Sequence, residues 1–349
     1  MKKKILINAS NIRVGGGVQV ATSIIDQVSN DAEFLDFFEV KFLVSRKVFE
    51  NISKTNNVDL KIKDWYFKDL FNPLYLNLFK SFDLVLNIFG PIYHIRKNIK
   101  TITGFALPGM LEKNFGLHYC IKKLFFNHNE HLIIEHDWFK LRVRELFHKN
   151  KISIINNSLN GIFFNKSNQV KFSFPDILHE KKLDGYCAFY FLGRMYEHKN
   201  IPKLVQMFNI LEEKKIKCFL VLTLNDDEEK KLNLKNSKNI FNLGVVQINE
   251  LPDFINFFDS YISLSDKECF SIGPIEAIRM KKRVFLNDRV FFRQTIKNHA
   301  IYLESNDIEY SVNTLIKNLN YNIEKSNFID EFDPLIKWNQ YKEIILNEL

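Results

Sequence analysis

The stretch "SYISLSDKECFSIGPIEAIRMKKRVFLND", residues 260–288, decides the fold that we predict for this chain. The run 260–265 predicts a β-strand, and 266–271 predicts a polar loop. A helix follows with Pro274 in its first turn, where proline is tolerated, and "RVFLN" predicts the next strand. A strand, a helix and a strand in this order are typical of a parallel sheet covered by helices.

The same alternation extends along the chain in both directions. Continuous apolar runs predict strands that are buried on both faces, as in a parallel sheet. These runs are 4–10, 40–45, 82–90, 101–106, 131–136 and 152–158 in the first half, and 186–194, 216–224 and 239–246 in the second. Amphipathic stretches predict helices at 18–28, 201–214 and 249–258. The predicted fold class is therefore α/β.

Length and a break in the pattern predict two domains. With 349 residues, the chain exceeds the size at which a single core usually divides. Periodicity is weak over 166–184, which contains Pro175, and we assign that stretch to a linker. The predicted domains are 1–165 and 185–329, each a Rossmann-like doubly wound sheet, followed by a C-terminal helix over 330–349. Such sheets bind ligands at the strand C-termini, so we expect a site in a cleft between the domains.

Composition narrows the classes of protein. No uncharged run approaches the roughly 18 residues of a membrane-spanning helix, so we expect no span. The four cysteines are scattered, with no spacing typical of zinc or a redox dithiol, which fits reduced thiols in a cytoplasm. A net charge of +8 predicts an anionic partner, which could be a nucleotide, a nucleic acid or a lipid surface.

Two glutamates, Glu268 and Glu276, have seven residues between them. Glu268 lies in the predicted loop, and Glu276 lies in the first turn of the helix that follows. A helix N-terminus offers free N–H groups and a partial positive charge that suit a phosphate. Carboxylates beside that phosphate suit the hydroxyls of sugars. The alternative is that Glu276 only complements the helix dipole and that Glu268 is a solvated loop residue.

Arg194 and Lys199 form a second candidate group. Arg194 follows a predicted strand that ends at Gly193, and Lys199 precedes a predicted helix. Two cations at the mouth of one sheet could clamp a diphosphate and stabilise it as it leaves. The alternative is that both are exposed loop charges.

Together these features resemble the retaining nucleotide-sugar glycosyltransferases of the GT-B fold, in particular glycosyltransferase family 4 of the bacterial polysaccharide and O-antigen type. The resemblance covers the whole chain in organisation and is most specific between 189 and 287. There "GRMYEHK" matches the family's Gly-Arg followed by Lys, and "ECFSIGPIE" matches its two spaced glutamates. The resemblance also implies that the C-terminal helix over 330–349, around Trp338, crosses back to the first domain.

The resemblance implies a role for each candidate residue. As catalytic residues, Arg194 and Lys199 would hold the donor diphosphate in the place of a metal ion, and Glu268 would bind a hydroxyl of the transferred sugar. Glu276 would bind the ribose. Backbone amides of Phe270, Ser271 and Ile272, in the loop before the second glutamate, would also contact the donor. Val245, in the segment 243–246, would lie near the base. The glycine-rich first loop, Gly15, Gly16 and Gly17, would approach the donor or the acceptor.

One position departs from the family pattern. Many members carry a histidine after the strand that corresponds to 101–106, and this chain has Gly104, Phe105 and Ala106 there. His136, after the next predicted strand, is the nearest candidate for a polar group at the cleft. The alternative is that His136 has only a structural role. We assign no residue as the catalytic base.

Two segments interleave aromatic residues with lysines, at 64–82 and 111–131. This pattern suits docking on an anionic membrane surface that presents a lipid-linked acceptor. It equally suits helices that bury Leu and Phe in the first domain. Stacking on single-stranded nucleic acid uses the same residue types, but no recognised nucleic-acid motif accompanies them, and no nucleic acid is expected.

The predicted function is the transfer of a hexose from a UDP- or GDP-sugar to a glycan or polyprenyl-linked saccharide, with retention of configuration, in the synthesis of surface polysaccharide such as O-antigen or capsule. Neither a metal nor a cofactor is expected beyond the nucleotide-sugar donor. The protein is expected in the cytoplasm, in peripheral contact with the membrane. Alternatives are a nucleotide-sugar epimerase of the same fold and a non-enzymatic protein that binds polyanions or membranes.

Overall fold

A computed structural model describes residues 2–13, 15–52, 59–64, 77–90, 99–107, 110, 116–127, 130–164, 169–232, 234, 237–320 and 327–349. The chain divides into two compact units. Unit 1 comprises Met1–Gly161 and Asp330–Leu349, and unit 2 comprises Ile162–Ile329. Both ends of the sequence therefore belong to unit 1.

Unit 1 is built on a seven-stranded parallel sheet. Its strands are β1 Lys3–Ala9, β2 Phe38–Val44, β3 Asp59–Ile62, β4 Leu84–Asn87, β5 Lys100–Phe105, β6 His131–Ile134 and β7 Lys151–Ile154. Their order across the sheet is β3-β2-β1-β4-β5-β6-β7. The winding of the chain therefore reverses between β1 and β4, which is the switch point of a doubly wound sheet.

Unit 2 repeats this plan with six parallel strands. They are β8 Cys187–Tyr190, β9 Cys218–Leu222, β10 Ile240–Asn242, β11 Ser260–Ser263, β12 Arg283–Asn287 and β13 Ile301–Leu303. The order β10-β9-β8-β11-β12-β13 is the Rossmann order, and its switch point lies between β8 and β11. The predicted fold class, two Rossmann-like doubly wound α/β domains, is confirmed.

The α-helices connect the strands of both sheets. Among the described residues these helices are α1 Gly16–Asn30, α2 Ala32–Phe37, α3 Arg46–Phe49, α4 Leu117–Asn127, α5 Lys140–Leu146, α6 Asp176–Leu183, α7 Ile201–Glu213, α8 Asp226–Glu229, α9 Leu251–Phe257, α10 Gly273–Arg279, α11 Val290–Ile296, α12 Ile308–Lys317 and, back in unit 1, α13 Pro334–Glu348. Helix α1 buries the predicted face of Val20, Ile24, Ile25 and Val28.

The structure differs from the sequence-based prediction at several elements, among them the linker and two sheet edges. The stretch 166–184, assigned to a linker, contains α6, which is part of unit 2. Leu178 is the only buried residue of α6, so the apolar periodicity of that helix is too weak to reveal it. The short edge strands β3 and β13 were also missed, because an edge strand is partly exposed and lacks a continuous apolar run.

The C-terminal helix α13 packs within unit 1. The Trp338 ring is 1% exposed and meets the Phe34 ring edge to face, with 5.1 Å between the centroids. Its indole N–H donates to Asp31 Oδ2 at 2.8 Å, and Lys342 Nζ lies 3.0 Å from the same oxygen. These contacts join the last helix of the chain to the end of α1 and the start of α2.

Candidate functional site

The candidate residues of unit 2 follow neighbouring strands. Arg194 and Lys199 come after β8, and Glu268 comes after β11, which is paired with β8. Since parallel strands end at the same edge of the sheet, the topology gathers these loops at the switch point of unit 2. These loops carry Arg194, Lys199, Asp266 and Glu268, and Glu228 follows the neighbouring strand β9.

Lys199 and Glu268 form an ion pair between Nζ and Oε1. Their side chains are only 15% and 13% exposed, so the pair is largely removed from solvent. The sequence-based prediction gave them separate ligands, a diphosphate and a sugar hydroxyl. The structure brings them into contact with each other, so a donor would have to compete with or share this pair.

Asp266 holds the two loops of this pair together. Its backbone N–H donates to the carbonyl of His198 at 2.8 Å, one residue before Lys199. Its side chain accepts from Arg289 Nη2 at 2.7 Å and from Asn287 Nδ2 at 2.9 Å, and Asn200 Nδ2 donates to its other oxygen. Burial favours a higher pKa for Asp266, but these hydrogen bonds outweigh it and lower the pKa. Asp266 is therefore an ionised hub.

The position of Asn200 explains how Lys199 is presented. Asn200 precedes α7 with φ 53° and ψ 34°, a left-handed conformation that asparagine tolerates better than most residues. Its side-chain amide donates to the carbonyl of Leu264 at 2.8 Å as well as to Asp266. The strand β11 thus fixes the turn that carries Lys199. The sequence analysis did not single out Asn200. Its position, an asparagine just before a predicted helix, was the signal that could have identified it.

Arg194 is held by a glutamate that sequence reasoning also missed. Glu228, in α8 after β9, accepts from Arg194 Nε at 2.8 Å and from the backbone N–H of Met195 at 3.0 Å. Burial favours a higher pKa for Glu228, yet the hydrogen bonds from Arg194, Met195 and Asn225 lower it below the ordinary value. The hydrogen bond to Glu228 raises the pKa of Arg194 in turn.

Glu276 occupies the first turn of α10 and is 2% exposed. Burial, with a contribution from the charge of Glu276, raises the pKa of the Tyr190 and Tyr261 phenols. A Cβ on Gly273 would lie 2.8 Å from the Tyr261 hydroxyl oxygen, so α10 can approach this ring only with glycine at its first position. Glu276 is thus part of a buried polar layer under the start of α10.

The remaining candidates of unit 2 lie in loops. Phe270, Ser271 and Ile272 are half-buried between β11 and α10, and Ser271 hydrogen-bonds the Tyr261 hydroxyl. Val245 is exposed after β10, next to Gly244, whose φ of 76° requires a residue that tolerates the left-handed region.

The glycine-rich loop belongs to unit 1. Gly15 has φ 66° and ψ −154°, a conformation open to glycine, and immediately precedes α1. A side chain on Gly16 would meet nothing within 4 Å, whereas one on Gly17 would lie 3.2 Å from Ile12. The backbone at Gly15 and Gly16 is therefore accessible. The site residues of unit 2 and these glycines lie in separate units, and their joint role stays a prediction.

His136 is 6% exposed at the end of β6. Burial lowers its pKa to about 4, although the charge of Asp137 acts in the opposite direction. The imidazole is therefore neutral at pH 7. Gly104 has a packing role, because a Cβ there would overlap the carbonyl oxygen of Ile88. A histidine at that position could not fit this backbone.

Parts of the two aromatic and lysine-rich segments, 65–76, 111–115 and 128–129, lie outside the described residues. In α4, which is described, Phe125 and Phe126 are buried in unit 1, and burial lowers the pKa of Lys122. These two rings therefore contribute to the core, as in the alternative reading.

None of the described helices is both long enough and apolar enough to cross a bilayer. Among the residues that the structure describes, no group of three or more His, Cys, Asp or Glu side chains is arranged to hold a metal ion.

Two Rossmann-like units in one chain match the organisation of the GT-B fold. Residues 177–331, which cover most of unit 2, match the family model described as glycosyl transferases group 1. Most of unit 2 is therefore similar to the group 1 glycosyltransferase domain. A comparison with curated protein sequences gave no match.

Solved structures similar to this chain share the fold over nearly the whole length. A sucrose-phosphate synthase from Thermosynechococcus elongatus is 11% identical with a TM-score of 0.72, and 99% of each chain is covered. A glycosyltransferase from Rickettsia africae is 18% identical with a TM-score of 0.71, covering 99% of this chain and 98% of that one. Anabaena HepE, in complex with UDP-glucose, is 15% identical with a TM-score of 0.71, and 99% of each chain is covered.

Proposed function

We propose that the protein is a retaining, metal-independent glycosyltransferase of family 4 that moves a hexose from a nucleotide diphosphate sugar to a saccharide acceptor. The observation that carries this proposal is the pair of cations, Arg194 and Lys199, beside Glu268 at the switch point of a group 1 glycosyltransferase domain. The Anabaena HepE structures with UDP and with UDP-glucose support a nucleotide-sugar donor, and favour a UDP-hexose over a GDP-hexose.

The proposed chemistry places charge stabilisation at the leaving group. Transfer breaks the bond between the anomeric carbon and the diphosphate, so negative charge develops on the diphosphate oxygen. Arg194 and Lys199 would stabilise that charge, in the role that a metal ion has in other transferases. Glu268 would accept a hydrogen bond from a hydroxyl of the transferred sugar, and Glu276 from the ribose hydroxyls.

Backbone groups would complete the donor site in this proposal. The amides of Phe270, Ser271 and Ile272 precede α10 and would donate to the sugar or the phosphate. Val245 would lie against the base. The accessible backbone at Gly15 and Gly16, with Gly17 next to them, would approach the donor or the acceptor.

The proposed acceptor is a glycan or a polyprenyl-linked saccharide of a surface polysaccharide, such as O-antigen or capsule. We infer a cytoplasmic protein in peripheral contact with the inner face of the membrane. The net charge of +8 supports this, because an anionic lipid surface attracts basic proteins.

Calorimetric titration tests the donor site. UDP and, in parallel, GDP are titrated into the wild-type protein and into Glu276→Ala. We expect saturable binding of one nucleotide and weaker binding by the variant, because the ribose hydroxyls lose a carboxylate acceptor. Glu309→Ala is the matched control, since Glu309 is an exposed acidic residue in the first turn of α12.

The outcomes separate the competing functions. If neither nucleotide binds to the folded wild-type protein, or if Glu276→Ala and Glu309→Ala behave alike, the donor site is refuted and the polyanion-binding alternative is favoured. Product analysis with the nucleotide sugar that binds then distinguishes an epimerase, which alters the free donor without any acceptor. Retained activity in a chelator is expected. Transfer activity that is lost in the chelator and restored by a divalent ion would contradict metal independence.

A further inference from the structure

Glu228 connects the two loops that follow β8 and β9. It is 8% exposed, and its two carboxylate oxygens have different partners. Oε1 accepts from Arg194 Nε at 2.8 Å and from the backbone N–H of Met195 at 3.0 Å. Oε2 accepts from the backbone N–H of Asn225 at 3.2 Å, which closes a capping box at the start of α8.

This arrangement leaves the far end of Arg194 available. The side chain is 40% exposed, and among the described residues its terminal nitrogens Nη1 and Nη2 donate no hydrogen bond. A guanidinium is planar, so fixing Nε fixes the direction of both terminal nitrogens. An arginine held in this way offers two parallel donors to the oxygens of a phosphate without first having to order a flexible side chain.

Electrostatic attraction alone would argue against a carboxylate at this position. Glu228 is ionised, since its hydrogen bonds keep its pKa low, and a negative charge beside Arg194 reduces the attraction that a diphosphate would experience. The benefit of Glu228 to an anion site therefore has to be geometric. The hydrogen bond to the Met195 N–H adds to this, because it also fixes the backbone that follows Arg194.

We propose that Glu228 is the positioning residue of the donor diphosphate site, which directs the terminal nitrogens of Arg194 towards the phosphates; this assignment rests on the proposed function. Glu228 does not touch the donor. It acts only through Arg194 and the turn at Met195, and nothing in the local sequence "TLNDDEEKK" separates it from the three acidic residues beside it.

A double-mutant cycle tests the assignment. The dissociation constant for UDP, or for GDP if that is the nucleotide that wild type binds, is measured by calorimetry for wild type, Glu228→Ala, Arg194→Ala and the double variant. We expect Glu228→Ala to weaken binding about tenfold, the size expected for a lost charge-assisted hydrogen bond. In the Arg194→Ala background, Glu228→Ala should have no further effect, because the residue through which it acts is absent.

A matched control separates positioning from the stability of the loop. Asn225 forms the other half of the capping box, because its side chain accepts from the Glu228 N–H at 2.9 Å. Among the described residues, no hydrogen bond joins Asn225 to Arg194. Asn225→Ala should therefore keep the nucleotide affinity within about twofold of the wild-type value, although it weakens the cap of α8. Circular dichroism and thermal melting confirm that each variant is folded at the titration temperature.

Three results would overturn the assignment while leaving the proposed function intact: unchanged affinity in Glu228→Ala, losses that add in the double variant, or an equal loss in Asn225→Ala. Tighter binding in Glu228→Ala would show that charge repulsion outweighs positioning, and would overturn it as well. If wild type binds neither nucleotide, the proposed function fails, and the assignment fails with it.

Discussion

Lys199 and Glu268 form a largely buried ion pair within the proposed donor site. In the structure each is the ionic partner of the other, and both side chains are at least 85% removed from solvent. A nucleotide diphosphate that recruits Lys199 has to weaken this ion pair. Glu268 therefore opposes binding of the nucleotide alone, while in the proposed function it favours binding of the sugar.

We expect Glu268→Gln to bind UDP more tightly than wild type, by about threefold to tenfold, because Lys199 loses an anionic competitor of the phosphate. The transfer rate should fall, because the sugar hydroxyl loses its carboxylate. Calorimetry and a transfer assay measure the two effects. Glu197→Gln is the control, since it removes the same charge from an exposed residue two positions from Lys199. Unchanged or weaker UDP binding in Glu268→Gln would contradict the prediction.

His136 makes the stability of unit 1 depend on pH. Its folded-state pKa is about 4 against an ordinary value of 6.5, so between these values the unfolded chain binds a proton that the folded chain does not. Stability is therefore present above pH 6.5 and is lost as the pH falls towards 4. From pH 7 to pH 5 the loss due to His136 is about 2 kcal/mol.

Urea unfolding at pH 7 and pH 5 measures this loss. The free energy of unfolding of His136→Asn should change less between the two pH values than that of wild type, by about 2 kcal/mol. His148→Asn, at an exposed histidine of the same unit, should keep the wild-type difference. An equal pH dependence in wild type and His136→Asn would disprove the role of His136.

At the level of secondary-structure elements, the approach of β5 to the end of β4 depends on the absence of one side chain. The carbonyl oxygen of Ile88 occupies the space that a Cβ on Gly104 would need, and the Gly104 carbonyl accepts from the Gly90 N–H at 3.0 Å. The neighbouring atoms are backbone, so they cannot move aside as a flexible side chain would. The strand pair therefore requires glycine at this position.

We expect Gly104→Ala to lower the free energy of unfolding by about 3 kcal/mol, at the upper end of the range for overpacking a core. Gly116→Ala is the matched control, because its Cβ would meet nothing within 4 Å, and it should change stability by less than about 0.5 kcal/mol. Urea unfolding measures both variants. Similar stabilities for the two would show that the backbone at Ile88 adjusts without cost.

At the level of the whole molecule, unit 1 is closed by the end of the chain. Trp338 of α13 hydrogen-bonds Asp31 across 307 positions of sequence and is 1% exposed. Unit 1 is thus complete only after the whole of unit 2 has been synthesised. The stability of unit 1 should therefore depend on α13 more than that of unit 2 does.

We expect Trp338→Ala to destabilise unit 1 by about 3–5 kcal/mol, the usual cost of truncating a buried tryptophan. Hydrogen exchange read by mass spectrometry should show lost protection in β1 and β2, with β8 and β9 unchanged. Trp338→Phe keeps an aromatic ring and removes the indole N–H, so its cost should be about 1–3 kcal/mol, owing to the hydrogen bond lost to Asp31 and to the smaller ring. Equal loss of protection in both units would contradict this prediction.

Local patterns in the sequence were sufficient for the fold class. Continuous apolar runs alternating with amphipathic stretches are properties of neighbouring residues, and they predicted two parallel sheets. They failed where burial is weak, at α6, β3 and β13, because a partly exposed element leaves little periodicity. The positions of two cations, after a predicted strand and before a predicted helix, likewise singled out Arg194 and Lys199.

The partners of those residues were decided only by the tertiary structure. Glu268 pairs with Lys199 across 69 positions, and Glu228 reaches Arg194 across 34. Such pairs depend on the order of the strands, β9-β8-β11, and on which loops that order brings together. The sequence by itself determined the elements and the charges that the site contains. Packing between distant segments decides which charges neutralise each other, which orient each other and which stay exposed. No local pattern in the sequence encodes that packing.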